Sequence, residues 1–228
     1  MTMKASESSP ARLPLEERRR RILKTAVQVY AQHGFHQTGM RQLCAALGMS
    51  AGALYRYFTG KESIIAGLVE MDREMIQHHL RALPAETGFL ATMQHMTEAT
   101  MNELQANEGL LAIWSEISSE ATRNHAVAAL LANHYQFIEN LLANLIKAAL
   151  KRGELSLGLE PLATARFMIA AHDGMMTRRA IDPAYPLKKV AAESLALFAR
   201  AIGATVPIST KMTSAAGKTV KTTGRKKS

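Results

Sequence analysis

The 228-residue sequence has one cysteine, Cys44, and one tryptophan, Trp114. A single thiol cannot bridge to another within the chain, so no disulfide framework holds this fold. That suits a reducing compartment. Aromatic residues make up only 5% of a chain that is 47% hydrophobic. The apolar content is therefore mostly Ala, Leu, Met and Ile, which favours helices over sheets. No run of about 18 apolar residues occurs, so no membrane-spanning helix is expected. The opening MTMKASESSPARLPLEE lacks the apolar stretch of a secretory signal, and a cytoplasmic location is expected. No alternating segment is long enough to argue for a strand, and no internal repeat is found.

Catalytic and metal chemistry are also missing. His33 with His36, and His78 with His79, lack a partner set of cysteines or carboxylates, so no metal or cofactor is expected. Gly48 to Gly52 reads GMSAG, the G-x-S-x-G spacing of a nucleophile elbow. That device needs a strand before the serine and a helix after it, with an acid and a histidine downstream. A helix precedes Ser50, and no α/β alternation follows. Ser50 reads as a helix cap, and no enzyme is expected.

The charge, +9 overall, is unevenly placed. Residues 1–60 hold nine Lys/Arg against three Asp/Glu, residues 61–203 hold thirteen against sixteen, and residues 204–228 hold six against none. A basic N-terminal unit on a slightly acidic body points to a polyanionic partner.

Periodicity gives an all-α chain. Residues 1–14 read as a disordered arm. A helix is expected from Leu15 to about His33, with Ile22, Leu23, Ala26, Val27 and Tyr30 at helical spacing and Gly34 as its stop. Thr38 is expected to cap a helix over about 39–46, ended by Gly48, and Ser50 another over about 51–57. Thr59 and Glu62 form the pattern of a capping box for a helix over about 60–80. RALPAETG then breaks the pattern. Further helices are expected over about 88–106, 108–122, 124–152, 160–181 and 186–203, with Pro161 and Pro186 in first turns. From Ala204 the chain is basic and of low complexity, and reads as a disordered tail. The organisation is thus a head over 15–60 and a helical body over 61–203 that begins with a connecting helix.

Thr38 to Glu62, TGMRQLCAALGMSAGALYRYFTGKE, carries the function. Two helices of about two turns cannot persist alone. They persist if Leu43, Leu47, Leu54 and Phe58 pack beneath the first helix. That packing leaves Ala51, Gly52, Tyr55 and Arg56 facing outward. Ala51 and Gly52 are small enough for close approach to a DNA groove, and Arg56 can pair with guanine or phosphate. Tyr55 and Tyr57 offer hydroxyls to phosphates. The helix starts near Thr38 and Thr59 offer backbone amides, and Lys61 adds a positive charge beside them.

Arg18 to Met71 resembles the N-terminal domain of the TetR family of bacterial transcriptional regulators. The pieces ILKTAVQVYAQHGF, TGMRQLCAALGMS and GALYRYFTGKE carry the resemblance, which spans about a quarter of the chain. It implies an all-helical homodimer whose two helix-turn-helix heads enter successive major grooves of a palindromic operator. By position, Thr38, Arg41, Tyr55, Tyr57 and Lys61 would contact the DNA backbone, with Ser50, Ala51, Gly52 and Arg56 nearest the bases. Ala51 departs from the lysine or other polar residue that many members carry. The resemblance also implies a C-terminal domain with a small-molecule pocket, and a dimer interface on the helices near 160–181 and 186–203.

The body offers candidates for that pocket. Met93 and Met96 lie at helical spacing, Trp114 stands near Glu116, and Tyr135 follows. His172 and Met176 lie with Asp173 in FMIAAHDGMMTRRA. Methionines adapt to irregular ligands, and an aromatic with a few polar groups lines many pockets. The same stripes also build plain core, and Asp173 reads better as a bond across an interface than as a ligand contact. The expected function is a repressor released from DNA by a small apolar effector. The alternative is an effector-independent DNA-binding protein of chromosome organisation or division.

Overall fold

The computed structural model describes residues 14–107, 109–155, 158 and 160–204. Apart from Pro14 and Ala204, the expected arm and tail lie outside the described residues. Every regular element among these is a helix: α1 (Leu15–His33), α2 (Met40–Leu47), α3 (Ala51–Tyr55), α4 (Lys61–Arg81), α5 (Phe89–Ala106), α6 (Leu110–Ala121), α7 (His125–Lys151), α8 (Pro161–Ile181) and α9 (Leu187–Ala201). The all-α expectation holds.

The starts of three helices differ from the expected ones. Thr38 does not cap α2. It is fully buried, and the cap position falls to Gly39, whose N–H donates to Gln42 Oε1 at 2.7 Å. The Thr59–Glu62 box is displaced by one residue. Gly60 N–H donates to Ser63 Oγ at 3.1 Å, and the Ser63 hydroxyl donates back to the Gly60 carbonyl at 2.7 Å. Glu62 is thereby free to face Asn124, whose Nδ2 lies 3.4 Å away. Pro186 stands at the cap of α9 rather than within its first turn, whereas Pro161 opens α8 as expected. Helix α3 is also shorter than 51–57, because the chain tightens onto Leu54. Both Tyr57 N–H and Phe58 N–H donate to its carbonyl, and this turns Phe58 inward, where it is 1% exposed.

Two apolar clusters organise the packing. The first holds Ile22, Leu23, Tyr30, Leu43, Leu54, Phe58, Ile64 and Ile65 beneath the head, and continues into Ile113, Ile117, Val127 and Leu131 of α6 and α7. The second holds Phe89, Met93, Leu142, Ile146, Ala149, Ala165 and Ile202. The first cluster needs two close approaches. A Cβ on Gly67 would stand 2.9 Å from Leu23 Cδ2 and 3.0 Å from Phe58 Cε1. One on Gly109 would stand 2.8 Å from Ala31 Cβ, so α6 begins hard against α1.

The second cluster is closed by a cap from a distance. Glu154, just past α7, accepts the Phe89 N–H at 2.7 Å and so caps α5. The hydrogen bond from Arg152 holds the Glu154 carboxyl below the usual carboxylate range. Partial burial opposes this, and the Phe89 N–H supports it.

Two outcomes follow from this packing. Gly67→Ala gains about 1 kcal/mol of helix propensity but overpacks Leu23 and Phe58 by about 1–3 kcal/mol. The variant is expected to unfold at lower urea than the parent chain. Glu154→Gln is expected to cost about 1 kcal/mol near neutral pH, the usual worth of a capping carboxylate. A depressed folded pKa gives stabilisation that is full above the unfolded pKa and lost as pH falls through the folded value. The gap between parent and Glu154→Gln should therefore narrow in denaturation curves as pH drops from 7 toward 3.

Candidate nucleic-acid interface

Gly48 ends α2 in the left-handed conformation (φ 61°, ψ 32°), a geometry that glycine adopts without a Cβ penalty. Its N–H donates to the Ala45 carbonyl, and Met49 N–H to that of Cys44. The chain then passes straight to Ser50, whose Oγ accepts the Ala53 N–H at 3.2 Å, as expected of a cap. Leu43 and Leu54 are fully buried, which fixes the outward face. Arg41, Ser50, Ala51, Gly52 and Arg56 are exposed, Tyr55 is 50% exposed, and Tyr57 is half-buried. A Cβ on Gly52 would meet nothing within 4 Å, so the surface there is open to a close partner. One short face thus carries two guanidinium groups, a phenol, a hydroxyl and two small residues.

Two of the expected contacts sit differently. The Thr38 side chain is enclosed, its Oγ1 without a hydrogen-bond partner among the described residues. Its side chain is therefore absent from the outward face, unlike those of Arg41 and Tyr55. Phe35, which folds back against Tyr30 with ring centroids 5.0 Å apart, belongs to the same buried layer. Lys61 has an internal duty. Its Nζ donates to the carbonyls of Phe35 at 2.5 Å and His36 at 3.2 Å, and lies 4.7 Å from the Phe35 ring centre. Burial lowers the Lys61 pKa, against the raising effect of the Glu120 and Glu62 charges. The ammonium group thus ties the α1–α2 loop to the start of α4.

The residues expected around a pocket divide between the two clusters. Trp114 and Tyr135 pack against the first, whereas Met93 lies within the second. Met96, Glu116 and Met176 are half-buried. His172 faces outward on α8 with its Nδ1 3.5 Å from Asp173 Oδ1, so in this chain it lines no interior. Tyr135 is bound to Asp173. Burial first, then that carboxylate's charge and hydrogen bond, push the phenol up to about 12.

One constellation escaped the sequence reading. Trp114 stacks on His134, with ring centroids 5.8 Å apart and planes 9° apart. His134 is buried, its Nε2 3.2 Å from Asp72 Oδ2. Arg73 Nε donates to His134 Nδ1 at 3.4 Å, and Arg73 Nη2 to Asn133 Oδ1 at 3.0 Å. Helix α4 is thereby joined to α7 by polar as well as apolar contacts, and α6 to α7 by the stacked Trp114 ring. The available signal was a histidine in the apolar run of α7 and an Asp-Arg pair mid-way along α4, but their meeting is set by tertiary structure.

Comparison with known proteins agrees with this geometry. Residues 22–68 match the family model for bacterial regulatory proteins of the tetR family, and residues 90–205 match that for the C-terminal domain of BetI-type transcriptional repressors. The HTH-type transcriptional regulator UidR of Escherichia coli K12 is 29% identical over 158 residues, covering 69% of this chain and 79% of that protein. The structure of Salmonella enterica GusR superposes with a TM-score of 0.67 at 27% identity, covering 86% of this chain and all of that one. FadR from Bacillus subtilis, solved in complex with stearoyl-CoA, shares the fold, with a TM-score of 0.71 at 20% identity over 78% of this chain and 96% of that one.

The contrast between Lys61 and Tyr55 can be measured without DNA. Lys61→Met removes charged hydrogen bonds to two loop carbonyls and should cost about 1–2 kcal/mol in urea denaturation. Tyr55→Ala touches an exposed ring and should stay within about 0.5 kcal/mol of the parent.

Proposed function

The chain belongs to the TetR family of bacterial transcriptional regulators, and from this premise we propose a ligand-released repressor that binds a palindromic operator as a homodimer. The observation that carries the reading is the capped, five-residue α3, which presents Tyr55 and Arg56 outward while Leu54 locks it from beneath. Arg41, Tyr55 and Tyr57 contact backbone phosphates on this reading, and Lys61 steadies the loop beside them. Ser50, Ala51, Gly52 and Arg56 lie nearest the bases. The match of the body to a repressor C-terminal model supports negative control.

The pairing surface is assigned to α8 and α9. Phe167, Ile181 and Leu197 are 65%, 75% and 62% exposed in the single chain, and large apolar side chains left facing water on these two helices support association there. The effector enters the body among the half-buried Met96, Met176, Glu116, Trp114 and Tyr135. Helix α4 is the lever, since it starts in the head and runs beside α5 and α7. An effector shifts the heads only by binding one arrangement more tightly than the other. A hundredfold loss of operator occupancy requires about 2.7 kcal/mol of differential affinity, modest for an apolar molecule. No helix among the described residues is long and apolar enough to cross a membrane, and the proposed site of action is the cytoplasm.

The test begins with selection of genomic fragments by the full-length protein, followed by fluorescence anisotropy on the winning site. Arg56→Ala should weaken operator binding by about ten- to a hundredfold, the worth of a good base contact. Tyr55→Ala should weaken it with little change in stability, and affinity should fall steeply with salt. No retained palindromic fragment, or unchanged affinity in both variants, would refute the assignment. A thermal-shift screen against hydrophobic compounds addresses the effector: a true ligand stabilises the protein and releases DNA.

A further inference from the structure

A second set of contacts joins head to body at the very start of α4. The α1–α2 loop, the first turn of α4 and the corner between α6 and α7 meet at the Glu120 carboxylate, whose side chain is 15% exposed. Glu120 Oε2 lies 3.3 Å from His36 Nε2 of the head loop and 3.1 Å from Arg123 Nε. Its Oε1 accepts from Asn124 Nδ2 at 3.2 Å, and that same amide reaches Glu62 Oε1 of α4 at 3.4 Å. Arg123 Nη2 also meets the His36 ring. Asn124 Oδ1 accepts the Ala126 and Val127 N–H groups and so caps α7. Lys61, whose ammonium holds the loop carbonyls of Phe35 and His36, stands within the electrostatic reach of Glu120. Burial pulls the Glu120 carboxyl upward, yet the bonds from Asn124 and Arg123, with the charges of Arg123 and His36, hold it below the usual carboxylate range.

The position of this cluster matters as much as its bonds. Helix α6 touches the head at both ends. Gly109, just before its first residue, lies against Ala31 and Val27 of α1. Glu120 lies eleven residues further on, about 16 Å along a helix rising 1.5 Å per residue. One point of attachment lets a rigid body pivot, whereas two points this far apart also fix its angle.

We infer that Glu120 is a positioning residue for operator binding, which with Arg123 and Asn124 sets the angle of the head on the body through His36 and Glu62. The inference rests on the DNA-binding reading of the head, but its geometric core does not depend on the dimer or the operator. Without the carboxylate, the apolar approach at Gly109, the shared core through Ile113 and Ile117 and the continuous α4 remain, so the head stays folded and attached. Its tilt is then held less tightly.

The first experiment measures that tilt within one chain. Spin labels are placed on exposed positions of head and body, Ala46→Cys and Lys151→Cys, with the buried Cys44 replaced by Ala. Labelled chains are diluted into unlabelled protein, so that only the intrachain distance is read. Glu120→Ala should broaden or shift the distance distribution, and Glu120→Gln, which can still accept from Asn124, should do so less. A distribution identical to that of the parent overturns the inference. The second experiment uses duplexes with one half-site, two half-sites at the natural spacing, and two at that spacing plus one base pair. Glu120→Ala should bind the single half-site within about twofold of the parent, yet lose most of the parent's discrimination between the two spacings. An equal loss on all three duplexes would mean a damaged head, and retained discrimination would mean no positioning role; either overturns the inference. If the parent itself shows no spacing preference, the palindromic reading fails, and the distance measurement alone decides the role of Glu120.

Discussion

Helices of eight and five residues cannot hold their shape in water, because nucleation costs more than so few hydrogen bonds return. Everything the head does therefore depends on the burial of Leu43, Leu54 and Phe58 beneath α1. Burying side chains of this size stabilises by roughly 1.5–3 kcal/mol each before entropy is counted. The buried layer places α3, and it leaves Tyr55 and Arg56 exposed because every inward position is taken. The same layer turns Phe58 in beneath Arg19, whose guanidinium carbon lies 4.7 Å from its ring centre. The recognition face is thus a by-product of the core, not an independent element.

That core does not stop at the head. Ile113 and Ile117 of α6, with Val127 and Leu131 of α7, belong to the same cluster. A close-packed interior transmits displacement, because its side chains have few alternative arrangements. A shift of α6 must therefore reach α1. Polar contacts add direction to this apolar continuity. Around His134 they tie α7 to the middle of α4, and around Glu120 they tie the α6–α7 corner to its start. Apolar packing tolerates sliding, whereas a carboxylate bonded to three partners prefers one arrangement. The clusters differ in kind, and the polar ones add directional bonds to what packing already restricts.

The fold was legible in the sequence wherever a local rule decided it. The residues Ile22 to Tyr30 marked α1 by spacing, Gly48 marked the turn, and Ser50 capped α3 as expected. Errors arose where two local solutions competed. Thr38 and Gly39 could each open α2, and Thr59 and Gly60 could each open α4. In the first case the interior took the threonine and left glycine at the cap. In the second, Ser63 offered a tighter reciprocal bond than Glu62, which faces Asn124 across the domain junction. The outward face was likewise readable for Arg41, Ala51, Gly52, Tyr55 and Arg56, since a helix has only one side away from its core. Lys61 was not, because its hydrogen bonds go to carbonyls twenty-five and twenty-six residues earlier. The body was less readable still. Met93, Trp114 and Tyr135 share a composition suited to a pocket, yet they divide between two clusters, and which residues meet across α4, α6 and α7 is not encoded in the periodicity of any one of them.

The poverty of the recognition face in long side chains makes orientation the more important variable. Ala51 and Gly52 are too small to reach far into a groove, so the long candidate reader is Arg56, the residue just past α3. A single bidentate contact discriminates by about 1–3 kcal/mol, less than the roughly 4–10 kcal/mol that typically separates specific from non-specific binding. The remainder on a symmetric site has to come from a second head and from shape. Both depend on where the first head points: a second head helps only when its helix meets the groove, and close approach at Gly52 helps only at one tilt. On the proposed reading, a head that touches mostly phosphates would be specific only as far as it is held. The contacts at Gly109 and Glu120 that hold the head would, on that reading, bear on specificity beside Arg56.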